Sequence, residues 1–231
     1  MRLFTSFFRV FVYIKARLEY KRRIASFFGI SVKAVDGLYR EICDSQFMLD
    51  IVNKSGIKKS FFSLNMSMAL RAPTLYVICR IVKPEIIVET GVAEGFSSAF
   101  ILKALEDNGK GRLYSIDLPN QPGQELSGQR TTGWLVPEGL RKRWDMTLGS
   151  SKEKLPPLMD NLKNIDIFYH DSDHSYENMM FEFEEVLPYI TENGMIISDD
   201  ITDNSAFDDF CRRENLYPLK LFKTGITGKN V

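Results

Sequence analysis

Carboxylates close two short apolar runs in the second half of the chain. IDIFYHDSDHSYE ends its run in Asp171 and Asp173, with His174 beside them, and NGMIISDD ends in Asp199 and Asp200. Grouped acids of this kind suit three tasks: holding a hard cation through oxygen, taking a proton, or capping turns and helices. His174, one of only two histidines, adds an imidazole, the side chain that titrates nearest neutrality. Residue type alone leaves the three tasks open.

A second constellation lies upstream in ETGVAEGFSS, where Glu89, Gly91, Gly95 and Ser97 read as a strand, a glycine turn and the start of a helix. The glycines let the backbone turn tightly and come close to a ligand. Their G-x-x-x-G spacing is neither the G-x-G-x-x-G of dinucleotide sites nor a P-loop, which needs a Lys-Ser/Thr pair. Glu89 disfavours a pyrophosphate and suits a ligand with positive charge. Asp117 closes the next apolar run about 20 residues further on, where a carboxylate can accept hydrogen bonds from both ribose hydroxyls. Together these features specify a nucleoside held without a phosphate clamp. S-adenosylmethionine fits, with its amino-acid end near Glu89 and Gly91 and its ribose on Asp117.

The elements around these residues alternate. EIIVETG, GRLYSIDLP, RKRWDMTLGSS, NIDIFYHD, NGMIISDD and YPLKLFKTG read as strands. FSSAFILKALEDNG, YENMMFEFEEVLPYI and AFDDFCRREN read as helices, the first stopped by Gly109. Alternation of this kind defines an α/β class with a mainly parallel sheet, and ligands of such sheets bind beyond the carboxyl ends of the strands. The run Glu182, Glu184, Glu185 reads as a solvated helix face. In the turn-rich stretch NQPGQELSGQRTTGWLVPEGL and the residues after it, Trp134 with Arg141, Lys142 and Arg143 forms either a lid over an acceptor or a surface loop whose tryptophan packs on the core.

Residues 1–80 read as a helical extension and 81–231 as the ligand-binding domain. Over about 2–23, apolar residues fall on one helix face and Arg2, Arg9 and Arg17 opposite. Such a helix packs on the domain, packs on a second subunit of a homo-oligomer, or lies on an anionic membrane surface. No apolar run reaches the roughly 18 residues of a membrane span, and the apolar stretch near the start, interrupted by Arg9 and Lys15, does not read as a signal peptide. Thirty basic and thirty acidic residues balance, so broad attraction to nucleic acid is not expected. Three scattered cysteines argue against disulfides or a zinc site and for a reducing, cytoplasmic setting, at the inner membrane face if the first helix lies there.

Glu89-x-Gly91-x-x-x-Gly95 with Asp117 resembles the first two motifs of class I S-adenosylmethionine-dependent methyltransferases. IDIFYHDSDHSYENMMFEFEEVLPYITENGMIISDD is similar to the D-G-D-H-x-Y … G-G-x-x-x-x-D-D pattern of the methyltransferase 24 family. That family groups with sugar O-methyltransferases of the macrocin and novobiocin type and with cephalosporin-hydroxylase-like proteins. The likeness spans about Pro84 to Asp209, with Ser172 replacing a glycine and Asn193-Gly194 replacing Gly-Gly. It implies a Rossmann-like three-layer sandwich closed by an antiparallel hairpin, here expected to be short. It also implies S-adenosylmethionine beside Gly91, Ser97, Asp117 and Asp171, with LGSS (Leu148 to Ser151) near the adenine. A divalent ion, Mg2+, is implied on Asp171, Asp199 and Asp200, activating a hydroxyl of a sugar, glycan or small molecule, with Asp173 as base and His174 as its competitor. Two other readings stand beside it: a nucleotide-sugar glycosyltransferase using Asp171-Ser172-Asp173 as its metal motif, and a relative that binds the cofactor without turnover.

Overall fold

The computed structural model describes residues 18–56, 66–119 and 130–230. Among them, five strands run parallel: β1 Ile86–Thr90, β2 Arg112–Asp117, β3 Trp144–Leu148, β4 Ile165–His170 and β5 Ile190–Ser198. Two more, β6 Leu219–Leu221 and β7 Thr224–Gly228, complete a sheet of order β3-β2-β1-β4-β5-β7-β6. β7 is antiparallel to both of its neighbours and lies between β5 and β6.

Side chains of a strand alternate between the two faces of its sheet, and the central strands are apolar on both. Ile87, Ile167 and Ile197 face one layer, while Val88, Phe168 and Ile196 face the other. The first layer holds a helix described over 18–27 (α1), then α2 Val32–Cys43, α3 Gln46–Lys54, α4 Met66–Val82 and α5 Phe96–Asn108. The second holds α6 Ser151–Leu162, α7 Tyr176–Val186 and α8 Ala206–Arg213. Serine side chains at positions 31, 45, 150 and 175 accept backbone N–H groups at the starts of α2, α3, α6 and α7, which satisfies donors that a helix start leaves open. Gly109 ends α5 in the left-handed region, as its position predicts.

The helices within 1–80 share one apolar cluster with the sheet: Tyr20, Ile24, Val35, Tyr39 and Tyr76 are buried together with Ile87 and Leu113. Most of the amphipathic segment 2–23 lies outside the described residues, but Tyr20 packs inward. No described helix is long and apolar enough to cross a membrane. One expectation changes. YPLKLFKTG, read as one strand, is split by a turn at Phe222 (φ +56) and Lys223, so that β7 starts at Thr224. The cue is faint because Gly225 carries no side chain. A Cβ there would lie 2.3 Å from the Phe207 ring.

Candidate functional site

The five parallel strands end along one edge, and there the chain forms an open cleft of about 820 Å³, within the size range of small-molecule sites. One half is built by the turns after β1 and β2. Gly91 (φ +84) has no room for a side chain, because a Cβ would lie 2.0 Å from the carbonyl oxygen of Asp171. The glycine is therefore demanded by the neighbouring loop as well as by the turn. Its N–H donates to the Ile116 carbonyl at 2.9 Å. Asp117 is held on both oxygens, by the Ala93 N–H at 2.8 Å and the Leu118 N–H at 2.8 Å. Gly149, Ser150 and Ser151 join this half of the cleft, with the Gly149 N–H on the Asp117 carbonyl at 2.8 Å.

Glu89, Gly95 and Ser97 do not line the cleft. Glu89 is fully buried beneath the turn, where its carboxyl accepts hydrogen bonds from Ser97 (3.1 Å), Ser98 (2.7 Å) and Ser115 (2.7 Å). Burial pushes this carboxyl from an ordinary 4.5 up to about 7, against the pull of the three hydroxyls. Its expected contact with a cationic ligand is thus replaced by an internal brace. Gly95 (φ +85) meets another loop, since a Cβ would lie 2.8 Å from Gly133 Cα.

The raised Glu89 value has a defined sign. Below about pH 4.5 the group is protonated in both states. As pH climbs towards about 7 the unfolded chain ionises first, so a contribution of roughly 3 kcal/mol present at low pH is lost across that window. Glu89→Gln should flatten this part of the profile. Urea unfolding at pH 4 and pH 8 should show the wild-type-to-variant difference moving by about that amount, and an unchanged difference would refute it.

The other half holds the paired acids. Asp171, with Arg71 Nη1 3.3 Å from Oδ1 and the Tyr169 hydroxyl 3.1 Å from Oδ2, is raised above its usual range by burial, against the pull of Arg71. Asp199 is buried; it pairs with the same Arg71 nitrogen through Oδ2 and accepts from the Thr224 hydroxyl at 3.3 Å through Oδ1. Asp200 (φ +48) is paired instead with Lys223 Nζ at 2.6 Å. The three acids expected to share a divalent ion are thus engaged by two side-chain cations. Among the described residues no group of three or more acids, histidines or cysteines is arranged to hold a metal. This donor set does not fit a dication, which needs several free carboxylate oxygens converging on one point.

Of the two expected proton acceptors, only Asp173 lines the cleft. It is exposed, and its oxygens accept from the Ser175 N–H and hydroxyl at 3.0 Å each. His174 turns inward, its ring edge-on to His170 at 5.2 Å and its Nε2 3.9 Å from Asp171.

Two features were missed or misread, and the alternatives for Trp134 are decided. Arg71, on α4, lies a hundred positions before Asp171 in a helix with no other mark of function. Glu182, expected on a solvated face, is fully buried behind the cleft. It accepts from Thr90 (2.5 Å), Ser172 (2.7 Å) and Asn178 (3.1 Å) and pairs with His170 Nδ1 (2.7 Å). Burial works against its charge, but hydrogen bonds led by that of His170 hold it below the usual range. Trp134 packs on the first core layer, with Arg130 stacked on its ring at 3.7 Å. Arg141 reaches the Gly133 carbonyl, while Lys142 and Arg143 pair with Glu106, so the basic residues do not cover the cleft. Residues 120–129 of the expected lid lie outside the described residues.

A central β1 followed by a glycine turn, an acid closing β2, and an inserted antiparallel β7 define the class I S-adenosylmethionine-dependent methyltransferase fold. Residues 88–201 match the methyltransferase 24 family, described as a methyltransferase domain, so the stretch from β1 to the turn after β5 carries a domain of that family. The chain is similar to the SAH-bound methyltransferase PaMTH1 of Podospora anserina, at 14% identity and a TM-score of 0.58 over 80% of this chain and 88% of that one. It is also similar to a methyltransferase from Geobacter sulfurreducens, at 19% identity and a TM-score of 0.51 over 68% and 76%. A third likeness is to CalS11, a TDP-rhamnose 3'-O-methyltransferase of calicheamicin biosynthesis, at 15% identity and a TM-score of 0.52 over 85% and 93%. At these identities the likenesses establish the fold. No curated protein matches the chain in sequence.

Proposed function

We propose that this chain is an S-adenosylmethionine-dependent methyltransferase that methylates a hydroxyl oxygen of a sugar, glycan or other small molecule. The observation that carries the reading is Asp117, a half-exposed carboxylate fixed by two backbone N–H groups beside the Gly91 turn. An ionised carboxylate has about four acceptor positions; with two taken, Asp117 keeps the capacity to accept both hydroxyls of a ribose. The adenine then lies towards Leu118 and Gly149 to Ser151, and the methionine end towards Gly91 to Ala93. PaMTH1 is an SAH-bound methyltransferase, and CalS11 is a TDP-rhamnose 3'-O-methyltransferase; both favour this reading.

Transfer requires the acceptor oxygen to attack the methyl carbon opposite the sulfur. The new O–C bond forms as the S–C bond breaks, and its electron pair stays on sulfur to leave S-adenosylhomocysteine. The hydroxyl proton goes to Asp173, the exposed carboxylate of the cleft. Catalysis of this kind rests on holding two reactants in line with a base at hand. Isothermal titration should give micromolar binding of S-adenosylhomocysteine and none of UDP. Binding of UDP alone would replace this reading with a nucleotide-sugar transferase. Cofactor binding with no methylation of a panel of sugars and phenols would favour a relative without turnover.

A further inference from the structure

We infer that Arg71 takes the place of a divalent cation, so that Asp171, Arg71 and Asp199 form a closed, metal-free ion site in the cleft. Arg71 comes from α4, inside the first layer of helices, and its side chain is only 15% exposed. Its Nη1 lies between the two carboxylates, 3.3 Å from Asp171 and in contact with Asp199. Burial opposes the charge, but the carboxylates of Asp171, Asp200 and Glu89 favour it. A guanidinium does not deprotonate in proteins, so this cation is permanent.

The two acids are closed to a second cation for three reasons. Asp199 is buried to 1% exposure, and loss of its counterion would leave an uncompensated buried carboxylate. Each acid carries a further neutral donor, Tyr169 on Asp171 and Thr224 on Asp199, so about half of the acceptor positions of each are taken and both of its oxygens are engaged. A dication entering between them would sit at contact distance from the guanidinium and be repelled by it. The third acid does not reopen the site, because the hairpin between β6 and β7 delivers Lys223 to Asp200.

The consequence for catalysis rests on the methyl-transfer reading. A fixed guanidinium supplies positive charge at the acceptor end. It does not lower a hydroxyl's pKa by direct coordination as a metal does, so proton removal falls to a carboxylate such as Asp173. The ion-site claim itself does not depend on that reading.

The test follows the paramagnetic signal of free Mn2+ on titration with the full-length protein. Wild type should leave the signal unchanged. Arg71→Ala should take up one equivalent at least tenfold more tightly than wild type, and the double variant Arg71→Ala, Asp199→Asn should lose that uptake. Stoichiometric uptake by wild type that Asp199→Asn removes would overturn the inference. So would an Arg71→Ala protein that gains no site, or one whose site survives Asp199→Asn. Arg71→Met replaces Arg71→Ala if circular dichroism shows the latter unfolded, and the wild-type titration decides independently of either. Titration of S-adenosylhomocysteine in EDTA runs alongside: its failure counts against the proposed function and leaves the ion-site result standing.

Discussion

Glu182→Ala should lower the stability of the protein by about 3–5 kcal/mol, the range for removing one partner of a buried ionic network. Its carboxyl is fully buried and serves groups from three places: Thr90 at the end of β1, His170 and Ser172 at and after the end of β4, and Asn178 on its own helix. An ionised carboxyl only accepts, so Nδ1 of His170 carries a proton towards it. Alanine would leave four polar groups facing a cavity, and each buried unsatisfied group costs about 1–3 kcal/mol. Glu182→Gln, which keeps the shape, should lose less. Urea unfolding measures both. A loss under about 1 kcal/mol for the alanine variant would mean that water replaces the carboxyl at little cost. Because Thr90 and Ser172 both border the cleft, cofactor binding should weaken as well.

Asp117→Ala should weaken S-adenosylhomocysteine by ~100- to 10,000-fold, since hydrogen bonds to a charged group are worth about 1.5–3 kcal/mol each and the ribose would lose two. Stability should change by less than about 1 kcal/mol, because the freed N–H groups of Ala93 and Leu118 lie where water reaches them. Calorimetric titration beside thermal unfolding separates the two effects. An affinity within threefold of wild type would remove the ribose from Asp117.

Much of this architecture is legible in the sequence, for physical reasons. Strands buried on both faces are short apolar runs, and the acids that end them stand out against that background. The half of the cleft around the glycine turn reads well because Gly91 and Asp117 belong to two local motifs in consecutive units of the sheet. The acidic half reads poorly because its cations come from elsewhere: Arg71 from a helix before the sheet, and Lys223 from a turn whose flanking strand is masked by Gly225 against Phe207. Glu89 was misplaced although a signal was present. It has the same parity as Ile87, which faces the layer of α5, so strand alternation turns its carboxyl under the helix and away from a ligand. Glu182 offered a similar clue. It follows Asn178 by four and precedes Val186 by four, on a helix face shared with Met179 and Phe183.

Gly91 leaves a wider mark on the molecule. Where most neighbouring segments of a protein meet through side chains that can shift rotamer, the turn after β1 and the segment after β4 meet backbone to backbone, with no space between Gly91 and the carbonyl of Asp171. The Asp171 N–H is also bonded to the Thr90 carbonyl at 2.8 Å. Nothing compressible separates the turn after β1 from the segment after β4. On the proposed function, a ligand that moved one strand end would move the other, and binding at the two ends of the cleft would then be thermodynamically linked. Such a linkage would have one magnitude read from either side: whatever the cofactor added to the affinity for acceptor, the acceptor would return to the cofactor.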